Sequence, residues 1–156
     1  MKLGEALSTR ADLQARISQL AERLRASAVV QEGDTPPEDP AKLLGELDDV
    51  CARLAALVAA VNATNTATRL PDGRTLTEAL AHRDVLALRQ SVLRAAADAV
   101  SQGQARYGRS EIRMIRQLDA GSLRRTVDEL ARERRELDTA IQEVNWTTEL
   151  VEDASR

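Results

Sequence analysis

A chain of 156 residues, 43% of them hydrophobic and 30% charged, is long enough for one domain with a packed core. With no Phe, one Tyr and one Trp, that core must be built from Leu, Val, Ile and Ala, a thin core that makes homo-oligomerisation an expectation. A net charge of −3 excludes a global pull toward nucleic acid or an anionic membrane, the single cysteine excludes an internal disulfide framework, and no apolar run approaches a membrane span.

The opening Met1-Lys2-Leu3-Gly4-Glu5 lacks the apolar run of a signal peptide, so the cytoplasm is the expected compartment. Helix one is predicted over about residues 3–26, on a seam of Leu3, Ala6, Arg10, Leu13, Ile17, Leu20 and Leu24 spaced by threes and fours. Val29 and Val30 break that period and predict a short extended piece, followed by an exposed loop through Pro36 and Pro37.

Helix two is predicted over about 40–62. Asp39 is placed to cap it and Pro40 fits its first position, where a missing N–H costs nothing. Leu43, Leu44, Leu47, Val50, Cys51, Leu54, Leu57, Val58 and Val61 make a stripe too wide for one partner, and Cys51 is expected to lie buried within it. The block Asn62 to Thr68 offers amides and hydroxyls that compete for backbone hydrogen bonds and is expected to end the helix.

Pro71-Asp72-Gly73 reads as a tight turn, with Thr75 and Glu78 as a capping box for helix three, over about 76–106. Residues 110–118 alternate imperfectly and predict a short strand. Helix four, about 120–146, starts at Asp119 or Ser122. Its apolar face repeats Leu123, Leu130, Leu137 and Val144 every seven residues. Shifting the chain by 83 residues lays Val61-Asn62-x-Thr64 on Val144-Asn145-x-Thr147, which suggests an internal duplication. The expected fold is mostly α: one domain, an antiparallel four-helix bundle, with a small β element formed by the connecting loops near 28–32, 68–76 and 110–118.

Functional signals are sparse. Asn62, Thr64 and Asn65 end helix two, and Asn145, Trp146 and Thr147 end helix four; helices of this length run parallel in an up-down-up-down bundle, so the two ends make one polar patch. That patch either lines a ligand pocket, with Arg83 near it to pair with an anion, or simply caps helix ends. Arg106, Arg109 and Arg113 form a basic run that could hold an anion. His82 has no second histidine and position 79 is Ala, so the Glu-x-x-His pairs of a di-metal bundle are missing and no metal or cofactor is expected. Neither a nucleophile with its base nor a phosphate loop is present, so catalysis by a familiar route is not expected.

Met1 to Leu7, Val30-Gln31-Glu32-Gly33, Glu38-Asp39-Pro40, Asp72 to Ala79, Arg109-Ser110-Glu111-Ile112 and Asn145 to Leu150 form a set of segments distributed over nearly the whole chain. Together they resemble the septicolysin-like family of small bacterial proteins. The resemblance implies an uncharacterised helical protein, and the family's label implies a pore-forming haemolysin. The sequence has no alternating strand pair able to line a membrane barrel. The expected function is that of a cytoplasmic homo-oligomeric structural or interaction protein. The alternative is a small-ligand binding protein or unusual enzyme using the polar patch. No nucleic acid or membrane partner is expected.

Overall fold

The computed structural model describes residues 1–102 and 115–151. Four helices carry the chain: α1 (Leu3–Ser27), α2 (Pro40–Ala67), α3 (Leu76–Gln102) and α4 (Ala120–Thr147). They fit the mostly α, four-helix-bundle class. The β content of the described residues is two isolated antiparallel bridges, Lys2 with Glu149 and Arg69 with Thr75. The second lies in the predicted 68–76 connector. Residues 28–32 pair with nothing in β fashion, and Val29 stands 86% exposed, because no neighbouring strand is there to receive it. Most of the third predicted β segment, through residue 114, lies outside the described residues.

The chain divides into two compact units. The first comprises Met1–Thr68 and the residues from Val144 onward. Within it α1 and α2 run antiparallel, as the ion pairs show: Arg16 meets Glu46, and Arg23, about two turns further along α1, meets Glu38 just before α2. The core between them is Leu13, Leu20, Leu43 and Val50, flanked by Ile17, Leu24, Leu47, Leu54 and Leu57. These positions alternate threes and fours on both helices, which is what keeps one face of each turned toward the other. Asp39 caps α2, accepting from the Ala41 N–H at 3.0 Å.

α2 continues to Ala67, past the predicted end at 62. The hydroxyls there do not compete with the helix; they bond back along it, Thr64 Oγ1 to the Ala60 carbonyl at 2.8 Å and Thr66 Oγ1 to the Asn62 carbonyl at 2.9 Å. Cys51 is exposed, against expectation. Leu43 and Val50 take the face toward α1, and Cys51 and the half-exposed Leu44 lie one residue round from it.

The second unit, Arg69–Glu143, holds the hairpin, α3 and most of α4. Gly73 takes a φ of 89°, the left-handed turn conformation that only glycine adopts without cost. The Thr75 and Glu78 box closes α3 in both directions, with the Thr75 N–H on Glu78 Oε2 at 2.7 Å and the Glu78 N–H on Thr75 Oγ1 at 3.2 Å. The Thr75 N–H and the Thr75 hydroxyl, both donating to Oε2, hold the Glu78 carboxyl below its ordinary pKa. α3 and α4 run antiparallel: His82 reaches Glu133, Arg83 reaches Asp138, and Ser101, near the other end of α3, accepts from Arg124. Leu76, Ala79, Leu86, Gln90 and Ala97 of α3 are buried, as are Val127, Leu130, Leu137 and Ile141 of α4. Asp119 caps α4 through the Ser122 N–H at 2.6 Å.

Candidate functional site

The polar ending of α4 lies against the start of α1, within the first unit. After α4 the chain turns extended and pairs with Met1 to Leu3 at the start of α1: the Leu3 N–H donates to the Thr148 carbonyl and the Leu150 N–H to the Met1 carbonyl, both at 2.9 Å. Lys2 Nζ bonds the Thr147 carbonyl at 3.0 Å, satisfying one of the orphan carbonyls of the helix end, and pairs with Glu149 at 2.7 Å. Lys2 and the terminal ammonium of Met1 together hold the Glu149 carboxyl below its ordinary range.

Trp146 lies against Gly4, so close that a β-carbon built there would stand 2.9 Å from ring atoms Cδ2 and Cε3. The fully buried Thr64 accepts the Val151 N–H at 2.9 Å, tying the end of α2 to the residues after α4. Of the polar residues expected here, Asn145 is buried, Asn65 is half-buried, and Asn62, Trp146 and Thr147 are exposed. Arg83 belongs to the second unit, where it is paired with Asp84 at 2.9 Å and with Asp138 at 3.7 Å. Arg106, Arg109 and Arg113 lie outside the described residues.

The second unit holds a concavity of about 310 Å³, lined among others by Leu70, Asp72, Arg74, His82, Glu133 and Leu137. Asp72 grips Arg74 through Oδ2, at 2.8 Å to Nε and 2.6 Å to NH2, and also accepts the Arg74 N–H at 3.0 Å. The ion pair holds the Asp72 carboxyl below, and the Arg74 guanidinium above, the ordinary values. Arg74 NH1 then meets His82 Nδ1 at 2.5 Å. A guanidinium has only donors, so Nδ1 is the acceptor and the proton of neutral His82 sits on Nε2, 3.5 Å from Glu133. This Asp–Arg–His–Glu chain joins two residues of the turn to one on each helix. Sequence reading weighed His82 only as a metal ligand; the turn residues Asp72 and Arg74 were the available signal. Among the described residues no group of three or more His, Cys, Asp or Glu is placed to hold a metal ion.

α3 also carries a second apolar stripe. Ala81, Val85, Leu88, Val92, Ala95 and Ala99 alternate fours and threes along the helix and all are exposed, with Val85 at 58% and Leu88 and Val92 at 68%. At 100° per residue this stripe stands roughly 170° round the helix from the one packed on α4. An apolar seam of that regularity on a solvent face is uncommon for a helix whose other face already has its partner.

Comparison with known proteins extends this description. Residues 10–150 match the profile of DUF6847, described as a family of unknown function. The chain belongs to DUF6847. A crystal structure of a functionally unknown conserved protein from Corynebacterium diphtheriae is 42% identical, covering 97% of this chain and 99% of that chain with a TM-score of 0.89. No curated protein matches. The septicolysin-like resemblance is therefore withdrawn, since both the DUF6847 profile and the structural relative point elsewhere. Its most specific segments are accounted for by local structure, Asp72 to Thr75 by a turn and cap, and Asn145 to Leu150 by the clasp on the start of α1.

Proposed function

We propose that this DUF6847 protein is a cytoplasmic structural or interaction protein that works as a homo-oligomer. The observation that carries the reading is the exposed Val85, Leu88 and Val92 seam on α3. Scattered surface hydrophobes need no explanation, but three large ones in heptad register on a helix already packed on its other side make a face suited to a partner. The exposed Leu44 and Cys51 of α2 add a smaller apolar area of the same kind. Sedimentation equilibrium of the full chain across the micromolar range tests it: a mass of two or more chains is expected, and a monomer throughout overturns the proposal.

A second reading, small-ligand binding, is favoured by the concavity beside Arg74 and His82. Its polar groups converge from a turn and two helices, as binding pockets require. Native mass spectrometry of gently purified protein decides it. A retained adduct that disappears in His82→Ala supports it, and protein of unmodified mass counts against it.

A further inference from the structure

We propose that α3 pairs with α3 of a second copy of this chain, in parallel and in register, along the stripe Ala81, Val85, Leu88, Val92, Ala95 and Ala99. The inference rests on the self-association reading above and adds the partner element and its direction.

The heptad frame follows from the spacing. Val85, Val92 and Ala99 take position a, and Ala81, Leu88 and Ala95 take position d. β-branched residues at a with Leu at d favour two parallel strands over three or four. The central layers, Val85, Leu88 and Val92, are the large exposed residues, and Ala on either side lets the backbones approach. The stripe spans about 27 Å at 1.5 Å per residue.

The flanking charges choose the direction. Asp84 and Asp98 fall at position g and Arg89 at e, and all three are exposed. In a parallel pair each g residue faces the e residue of the following heptad on the other helix. That sets Asp84 against Arg89 of the second copy, and Arg89 against Asp84 of the second copy. In an antiparallel pair at full overlap g faces g and e faces e, so Asp84 would meet Asp98 and Arg89 would meet its own counterpart. Every charged flank would then be repulsive. Asp84 has capacity to spare: Arg83 engages its Oδ1, and its side chain remains 68% exposed. His82, at an e position too, is turned toward Arg74 and Glu133 within its own unit and takes no part, and the third e residue, Ala96, is uncharged.

The test uses the full chain in a Cys51→Ser background. Sedimentation should show a dimer whose dissociation constant rises at least about tenfold in Leu88→Glu. Asp84→Arg and Arg89→Asp should each weaken it several-fold, and the two together should restore it, with circular dichroism confirming that every variant keeps its helices. Under mild oxidation Ala81→Cys alone should form a disulfide dimer, because parallel register sets position 81 against itself. A monomer at all concentrations overturns both this pairing and the self-association reading. A dimer indifferent to Leu88→Glu and to the charge exchange overturns this pairing and leaves self-association standing. Cross-linking only when copies with Ala81→Cys are mixed with copies with Ala99→Cys overturns the parallel direction.

Discussion

The Trp146 ring covers Gly4 so closely that the first turn of α1 has no room there for a β-carbon. Two residues at opposite ends of the sequence are thereby matched in size. The sole tryptophan of the chain is also a built-in reporter on this contact.

Gly4→Ala is expected to destabilise the protein by ~1–2 kcal/mol, since the ring must move to admit the methyl. In a Trp146→Ala background the same change should reverse sign, because alanine is the better helix residue by ~1 kcal/mol or less once the clash is gone. Chemical denaturation of the four members of this double-mutant cycle checks both statements, and an unchanged tryptophan emission in Gly4→Ala would contradict the first.

Thr64 donates to the Ala60 carbonyl while accepting the Val151 N–H. Thr64→Val keeps the shape and removes the acceptor, leaving a backbone donor without its partner at a cost of ~1–2 kcal/mol. Thr64→Ser should retain the bond. Hydrogen exchange at the Val151 amide is the direct readout: faster in Thr64→Val, close to wild type in Thr64→Ser.

Acid should loosen the clasp. Lys2 and the Met1 ammonium lower the Glu149 pKa from its ordinary 4.5, so the unfolded chain binds the proton more readily than the folded one. The resulting stability is present above pH 4.5 and is lost as the pH falls through the folded value. Glu38, held low by Arg23, and Asp72, held low by Arg74, add the same sign of dependence, the latter from its ordinary 3.8 downward. Tryptophan emission followed from pH 6 to about 3 should shift in wild type with a steeper slope than in Glu149→Gln. Equal slopes would show that Glu149 carries none of it.

Cys51 should react with a soluble thiol reagent in the folded protein, without denaturant, because it is exposed on α2. One equivalent labelled rapidly is the expected outcome. Labelling only after unfolding would return Cys51 to the buried place that its neighbours in sequence suggested.

That error shows where sequence reading stops. The inner seams were legible because Leu13, Leu20, Leu43 and Val50 repeat with helical spacing, and the caps at Asp39 and Thr75 because their chemistry is local. α2 and α3, however, each carry more apolar positions than one neighbour can cover. Spacing alone does not say whether Leu43 or Leu44, Leu86 or Val85, turns inward. That choice is made by the partner helix. The Asp72, Arg74, His82 and Glu133 chain was invisible for a related reason: its last contact depends on which turn of α4 lies beside His82. The Asn-Trp-Thr-Thr ending looked like a site because its polar groups had no evident use, and the residues that bond its backbone carbonyls, Lys2 and Leu3, lie some 145 positions away.

The pairing of residues 1–3 with 148–150 also has a mechanical side. Its two backbone bonds lie one behind the other, so a pull applied at Met1 and Val151 loads the Met1–Leu150 bond, with the Val151–Thr64 bond beside it, and the Leu3–Thr148 bond only after these fail. Bonds broken in sequence resist far less than bonds sheared together. Stretched in this direction, the first unit would open like a zip, beginning at the clasp, before tension reached the leucine seam between α1 and α2.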